Sequence, residues 1–491
     1  MISLIMLIPG VVIPAVVGWL IIDLLEWDTS VIGRYEKWVM GFVFGMTFSM
    51  FCVFAGNVWL GIPLTLVGFA MIFAGLLVVL GAAWGIRRGR FMTSVKAGAP
   101  PGRPYIADVM HSTPRPMMIA LAVMGGWVLI RLLAMAGDTA VTPTFFDDAM
   151  DNWNLRGKLF FLQEKFSLAF PWDPSPGVSS YPPTVPLSKT WLSTLAGGWH
   201  EGLVNMIHVV WFACLLALVY WTLRRMLSWE WSALGTIILA SLPLELIHGM
   251  SPYADVFLSL HIFVGVSLLF HALKDRGHES QGVSRNAPTY LRLSAFAIAL
   301  IPFTKNEGWA LYFPVLAFLY AATLGWLVYR KTMTVRQVMM TAGFALLLAV
   351  IIAGPWIAFK FANGLAFGNA KGLDLNFRWQ PGVFASVIVN TFLEGNWGLL
   401  MPLFFGLLIA RWRSAFRSPL LLLSAFILIP YLGQLFLYHF TGLSTEAILQ
   451  TGYARGLIHL MPVIVVLTVL LLHDVILGRV ESGQRKVESG Q

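Results

Sequence analysis

The chain has 491 residues, of which 58% are hydrophobic and only 12% are charged. Soluble globular proteins carry about 25% charged residues, so this composition excludes a soluble domain with an ordinary surface. Repeated apolar runs of roughly 20 residues are typical of helices that cross a bilayer, and they predict an all-α polytopic membrane protein. The net charge of +9 is explained by basic loops beside the membrane, so nucleic acid is not expected as a partner.

Apolar segments follow one another along the chain, and about thirteen of them are predicted to span the bilayer. They lie at 2–22, 38–56, 58–85, 117–136, 202–223, 231–248, 254–273, 289–303, 307–328, 337–360, 396–410, 418–440 and 456–477. The first segment has neither a basic start nor a cleavage site of small residues before Asp23. We therefore expect a retained span rather than a signal peptide.

Most Lys and Arg residues fall in alternate loops between these spans. The positive-inside rule places such loops in the cytoplasm, which predicts an outer N-terminus and an inner C-terminus. The non-cytoplasmic face then carries two long loops, at 137–201 and 361–395. The clustered acids of the first loop are therefore expected on the outer face.

The first long outer loop, 137–201, contains two amphipathic segments. Aromatic and aliphatic side chains alternate with polar ones at 152–166 and again at 188–199, where two Trp residues occur. This pattern is typical of helices that lie in the membrane interface rather than across it. We expect the two helices to form a platform over a cavity.

Three carboxylates open the same loop, in the sequence FFDDAMDNW at 145–153, which we call the acidic motif. If this stretch is helical, Asp147 and Asp148 lie one turn from Asp151, where like charges repel unless a cation or a proton satisfies them. Two interpretations stay open at this point. The acids cap and solvate the start of a helix, or they supply a general base or metal ligands.

Five motifs follow one another within residues 117–477. They are FFDDAMDNW (145–153), YPPTVPL (181–187), SPYAD (251–255), TKNEGW (304–309) and GYARGLIHLMP (452–462). Their order and shared outer face resemble the GT-C superfamily of membrane glycosyltransferases, which use polyprenyl-phosphate sugars. Protein O-mannosyltransferases and aminoarabinose transferases are members. The chain departs from the family in its three additional N-terminal spans, and in DDAMD where many members have an Asp-Glu pair.

The resemblance implies a GT-C-like fold in three parts. Residues 1–116 are N-terminal spans with a basic cytoplasmic loop, residues 117–477 form the transmembrane catalytic domain, and residues 478–491 are a cytoplasmic tail. It implies an enzyme that moves a hexose or pentose from a polyprenyl-phosphate donor to a glycan, lipid or protein acceptor. The expected location is a bacterial plasma (inner) membrane, with the active site on the periplasmic face.

The same resemblance implies the site residues. An acid of the first outer loop would be the general base, with Asp147 the first choice and Asp148 the second. The residues expected to bind substrate are Arg455, Lys305, Glu307, Tyr253, Asp255 and Tyr181. No cofactor is certain, although a divalent metal ion could be held by Asp147, Asp148 and His248.

Two of these assignments have ordinary structural alternatives. Arg455, expected on the donor phosphate, could instead reach lipid headgroups as an interfacial arginine. Lys305 and Glu307, expected on phosphate and sugar, could instead form an ion pair that closes a tight turn. The sequence leaves both alternatives open.

Other functional classes compete with a glycosyltransferase. A ligase or polymerase of polyprenyl-linked glycans would favour a late outer loop rich in Arg and His, and the late loops here are poor in both. A secondary transporter or flippase of lipid-linked substrates would favour an internal repeat and charges at mid-membrane. No convincing repeat is visible in the sequence, and Arg131 is the one clear charge well inside a predicted span.

Overall fold

The computed structural model describes residues 2–94, 114–145, 148–169, 178–275, 286–367 and 377–488, and its regular elements there are all helical. Within these ranges, nine helices are long and apolar enough to cross a membrane. They are Leu7–Leu25, Arg34–Leu60, Leu66–Arg88, Arg115–Val141, Glu201–Arg224, Asp255–Lys274, Gly308–Tyr329, Val335–Ala362 and Leu420–Phe440. The predicted all-α polytopic membrane fold is confirmed.

The other four predicted spans correspond to shorter or bent helices. Trp229–Ser241 and Pro243–Met250 meet at an angle of 72°. The break lies at Leu242, which has extended backbone angles because the ring of the following proline disfavours the helical region. Three short apolar helices occupy the remaining places: Ala287–Phe303, Leu400–Ala410 and Met461–Ile476. Length and apolarity alone support nine or ten spans in the described residues, so the count of about thirteen stays a prediction.

The chain packs as two compact units. Unit 1 contains Met1–Leu218 and His248–Gly372, and unit 2 contains Val219–Ile247 and Leu373–Gln491. Four of the five motifs belong to unit 1, and the motif at 452–462 belongs to unit 2. The predicted functional domains, 1–116 and 117–477, remain predictions because this division reflects packing rather than activity.

In unit 1, the first two long helices approach each other through glycines. A Cβ atom built on Gly18 would lie 1.8 Å from the carbonyl oxygen of Gly41, and one built on Gly45 would lie 1.8 Å from that of Pro14. Small residues at such contacts let two helix backbones meet, which is how van der Waals packing holds helices together in lipid. The pair Leu7–Leu25 and Arg34–Leu60 therefore forms a close-packed hairpin.

Gly45→Ala is expected to lower the free energy of unfolding by about 1–3 kcal/mol, because the new methyl group meets backbone atoms that cannot rotate away. The matched control is Gly81→Ala in the helix Leu66–Ser94, since a Cβ there has no atom within 4 Å. That control should be neutral or slightly stabilising. Thermal unfolding in detergent measures both, and equal unfolding temperatures for the two variants would contradict the packing described.

The N-terminal helices support the interfacial part of unit 1. Trp191, on the helix Thr184–Ala196, donates its indole N–H to the carbonyl oxygen of Gly10 at 3.1 Å. The Trp191 ring also packs against Phe69 and Phe73, with ring centroids 5.3 and 4.7 Å apart. The N-terminal helices thus hold the helix that begins within the YPPTVPL motif.

Candidate active site

The acidic motif continues into an uncommon helical turn. Asp147 lies outside the described residues, while Asp148 is half-buried and directly precedes the π-helix Ala149–Asn154. The α-helix Leu155–Gln163 follows, within the predicted segment 152–166. Single π-helical turns are rare and occur often at functional sites. A second one, Gly308–Tyr312, directly follows Glu307 of the TKNEGW motif.

Both flanks of the acidic motif are fixed by the same buried cluster. The Thr144 hydroxyl oxygen accepts hydrogen bonds from the side-chain amides of Asn154, at 2.7 Å, and Asn205, at 2.9 Å. Lys189 is fully buried and donates to the amide oxygens of both asparagines, with the Asn205 contact at 3.2 Å. The chain is therefore held just before Asp147 and again at the end of the π-helix.

The charge of Lys189 has a consequence for pH dependence. Burial lowers the pKa of the Lys189 ammonium well below its ordinary value of 10.5, an effect that Glu201 partly opposes. Between the folded and unfolded pKa values the unfolded chain binds more protons, so this group makes stability rise with pH up to about 10.5.

Lys189→Met removes the contribution of the Lys189 ammonium to the pH dependence of stability. The free energy of unfolding of wild type relative to Lys189→Met should therefore increase as the pH is raised, by at most about 1.4 kcal/mol per pH unit. Denaturant unfolding at a series of alkaline pH values measures the difference. Lys158→Met is the control, because Lys158 is exposed on the neighbouring helix. A constant difference for Lys189→Met across the series would contradict a buried, titrating lysine.

The YPPTVPL motif packs directly on the π-helix. The rings of Trp153 and Tyr181 meet edge to face, with centroids 5.5 Å apart. Arg156, one turn further along, is fully buried and donates to the carbonyl oxygen of Tyr181 at 2.9 Å and to the amide oxygen of Asn152 at 3.3 Å. These contacts hold Tyr181 beside the acidic motif, where it is half-buried.

Lys360 connects Ser180, which directly precedes Tyr181, to the TKNEGW motif. Its ammonium donates to the carbonyl oxygen of Ser180 at 2.5 Å and to the side-chain oxygen of Asn306 at 3.0 Å. Lys360 is only 2% exposed, at the end of the long helix Val335–Ala362. One buried cation therefore joins the TKNEGW motif to Ser180, the residue directly before the YPPTVPL motif.

Lys305 joins the TKNEGW and SPYAD motifs. Its ammonium lies 2.7 Å from Asp255, which is completely buried, and 3.3 Å from Glu307, whose side chain is 39% exposed. His248 lies 3.4 Å from the other carboxylate oxygen of Asp255, and its ring stacks on Tyr253 with centroids 5.1 Å apart. The ion pair foreseen between Lys305 and Glu307 is present, but the nearer partner is Asp255.

One oxygen of Glu307 is available for a ligand. Its Oε1 atom faces Lys305, whereas its Oε2 atom is buried and accepts no hydrogen bond from the described residues. A buried carboxylate oxygen without a donor is costly, and a sugar hydroxyl would satisfy it. The geometry is compatible with the sugar-binding role expected for Glu307.

Arg455 lies in unit 2, on the short helix Tyr453–Ile458, and is half-buried. Tyr453 at the start of this helix shares a hydrogen bond of 2.9 Å with the Thr391 hydroxyl, and its ring packs against Tyr438 at 5.7 Å. The role of Arg455 at a donor phosphate stays a prediction.

The expected metal site also stays a prediction. No group of three His, Cys, Asp or Glu side chains in the described ranges is arranged to hold a metal ion. The proposed trio of Asp147, Asp148 and His248 includes a residue outside those ranges.

None of the connecting residues was among the site residues expected from the sequence; they are Arg156, Lys189, Asn306 and Lys360. Arg156 and Lys189 lie in amphipathic segments, where basic side chains normally face water. The sequence does contain one indication of their burial: Arg156 and Lys189 each lie on the same helical face as nearby apolar residues. Arg156 precedes Phe160 by four residues, and both are completely buried.

No protein-family model matches the chain, and no curated protein matches it. Among solved structures it is similar to ArnT from Cupriavidus metallidurans, in the apo state with a TM-score of 0.49 and bound to undecaprenyl phosphate with a TM-score of 0.47. Sequence identity is 15% in both, over 71% of this chain and 60% of the ArnT chain. The match thus spans less than two thirds of the ArnT chain.

Proposed function

We propose that the chain is a membrane glycosyltransferase that moves a sugar from a polyprenyl-phosphate donor to an acceptor on the non-cytoplasmic face. One observation carries this proposal. Four motifs that are widely separated in sequence are linked within unit 1 by contacts of their side chains and of residues directly beside them in the chain. The contacts run from Trp153 to Tyr181, from Lys360 to Ser180 and Asn306, and from Lys305 to Asp255.

The chemistry requires a base beside the acceptor. The acceptor hydroxyl oxygen attacks the anomeric carbon and loses its proton to a carboxylate, for which we propose Asp147 or Asp148. The bond between the anomeric carbon and the phosphate oxygen breaks, and its electron pair leaves with the polyprenyl phosphate. The fixed flanks of the acidic motif favour this role, because a general base must be held within hydrogen-bond reach of the hydroxyl.

The donor sugar requires hydrogen-bonding groups near that base. We assign Tyr181, Tyr253 and the unpaired oxygen of Glu307 to the sugar. Asp255 is enclosed by Lys305 and His248, so its role is to position them rather than to contact the substrate itself. Arg455 remains a candidate for the phosphate.

The orientation in the membrane is tested by cysteine labelling of whole cells. In a background with Cys52 and Cys214 replaced by Ala, Gln163→Cys should react with a membrane-impermeant maleimide, and Arg336→Cys should not. Both positions are exposed, and the positive-inside rule places them on opposite sides. Labelling of Arg336→Cys alone would invert the topology and remove the outer-face mechanism.

A further inference from the structure

Asn57 joins the N-terminal spans to the first outer loop. It is half-buried in the last turn of the helix Arg34–Leu60. Its side-chain oxygen accepts a hydrogen bond from the backbone N–H of Phe166 at 2.9 Å, and its side-chain nitrogen donates to the carbonyl oxygen of Ile62 at 2.8 Å. A primary amide offers a donor and an acceptor side by side, and here the backbone uses both. Asn57 therefore binds the loop to the turn that follows its own helix.

A second hydrogen bond holds the same two segments. The backbone N–H of Leu64 donates to the carbonyl oxygen of Glu164 at 2.7 Å. Glu164 has a left-handed φ of 55° and ends the helix Leu155–Gln163. Polar backbone groups at the end of a helix need partners from outside it. The end of this helix is therefore held by Asn57, Ile62 and Leu64, which we call the outer clamp.

Aromatic packing supports the outer clamp. Phe54 lies three residues before Asn57 and is completely buried. Its ring meets those of Phe166, Phe303 and Phe359, with centroids 5.3, 5.6 and 5.2 Å away. Aromatic pairs at such distances add to the free energy gained by burial. Because Phe303 directly precedes the TKNEGW motif, one turn of the N-terminal helix contacts both the flank of that motif and the first outer loop.

Deeper in the membrane, the same N-terminal helix is bonded to the helix Asp255–Lys274, which begins within the SPYAD motif. The Thr47 hydroxyl lies 2.8 Å from Nε2 of His261, and Nδ1 of that ring lies 2.8 Å from the carbonyl oxygen of Phe257. A carbonyl oxygen can only accept, so Nδ1 donates to it and Nε2 of the neutral ring accepts from Thr47. The helix Arg34–Leu60 is thus fixed relative to the SPYAD motif.

The outer clamp holds the far end of the helix that continues the acidic motif. The π-helix Ala149–Asn154 runs directly into Leu155–Gln163, and Lys189 holds the near end through Asn154. A helix held at one end alone can tilt about that end, whereas catalytic groups must keep their direction to within about 10–20°. The clamp therefore determines the direction in which the acidic motif is presented.

We propose that Asn57 is a positioning residue for the acidic motif, and that the additional N-terminal spans are a scaffold of the active site. The helix Arg34–Leu60 contacts the first outer loop, the helix after the SPYAD motif and the flank of the TKNEGW motif, so it sets these three motifs relative to one another. Spans that only anchored the chain in the bilayer would need none of these contacts. The assignment rests on the proposed function, in which the acidic motif supplies the general base.

Hydrogen exchange of the purified full chain tests the clamp without any substrate. Asn57→Leu removes both side-chain hydrogen bonds and keeps a similar size. Amide exchange in Ala149–Asn154 and Leu155–Gln163 should become about 5- to 10-fold faster, because each lost hydrogen bond lowers the free energy of local opening. Asn396→Leu is the matched control and should leave this exchange unchanged. Asn396 is also half-buried, but its side-chain amide donates to Glu394, two positions away.

Transfer kinetics test the link to the acidic motif. With a labelled polyprenyl-phosphate sugar as donor and a membrane extract as acceptor, Asn57→Leu should lower kcat per folded protein by about 10-fold. The KM for the donor should change by less than about twofold, because the donor is assigned to other side chains. Asn57→Asp keeps an acceptor for the Phe166 N–H, so its kcat should lie closer to that of wild type.

The two measurements separate the possible failures. Unchanged exchange in a folded Asn57→Leu would overturn the clamp, and faster exchange with wild-type kcat would overturn its link to the acidic motif. An Asn57→Asp variant as slow as Asn57→Leu would also contradict the proposal. A wild-type chain that transfers no sugar would overturn the proposed function, while the exchange result would still decide the clamp. If Asn57→Leu does not fold, Asn57→Ser replaces it with the same expected results, because serine is too short to bridge the two backbone groups.

Discussion

Replacing both acids of the acidic motif, Asp147→Asn together with Asp148→Asn, should slow sugar transfer by about 10²- to 10⁴-fold. Asparagine keeps the shape of aspartate but cannot take the proton of the acceptor hydroxyl. Donor binding should change little, because the donor sugar and phosphate are assigned to other side chains. The measurement is the initial rate of transfer at saturating donor, with donor affinity determined separately.

The single variants assign the role within the pair. Asp147→Asn should account for most of the loss if Asp147 is the base, and Asp148→Asn if Asp148 is. Asp151→Asn is the matched control, because Asp151 is exposed on the π-helix that follows. Full activity of the double variant would remove the acidic motif from the mechanism, whereas an equal loss in Asp151→Asn would point to charge rather than to a general base.

Breaking the ion pair between Lys305 and Asp255 should lower the free energy of unfolding by about 3–5 kcal/mol. Asp255 is completely buried, and Lys305→Met would remove the ammonium that lies 2.7 Å from its carboxylate. Glu307→Gln removes the outer, partly exposed partner of Lys305 and should change stability by less than about 1 kcal/mol.

A double variant distinguishes a lost pair from lost packing. Lys305→Met combined with Asp255→Leu removes both charges, so it should recover much of the stability that Lys305→Met loses. Chemical denaturation of the single and double variants gives the coupling energy. Additive losses, with the double variant the least stable of all, would show that the two residues act independently.

The membrane fold was predictable because apolar length is a local property of the sequence. Each of the nine long helices lies where an apolar run was found, and the sharp bend at Leu242 follows from a single proline, Pro243. The number of spans is harder to predict from the sequence. Ala287–Phe303 and Leu400–Ala410 are too short for length alone to decide whether they cross the bilayer.

The candidate site was predictable as a set of motifs but not as a set of contacts. Lys305 and Asp255 are 50 positions apart, so their pairing depends on how two helices pack rather than on any local pattern. The same holds for Lys360, whose partners Ser180 and Asn306 are 180 and 54 positions away. The burial of Arg156 was not foreseen because basic residues on amphipathic helices usually face water, although Phe160 on the same helical face is a signal for it.

Donor turnover by the purified full chain, reconstituted in lipid with a membrane extract as acceptor, tests the glycosyltransferase assignment most directly. The donors are a panel of polyprenyl-phosphate hexoses and pentoses labelled in the sugar, and the products are free polyprenyl phosphate and labelled acceptor. Wild type should convert at least one donor into both products, and the Asp147→Asn, Asp148→Asn double variant should convert it at least about 100-fold more slowly. Turnover of diphosphate-linked glycans alone would indicate a ligase or polymerase instead. Equal turnover by wild type and the double variant, or none by wild type, would contradict the account.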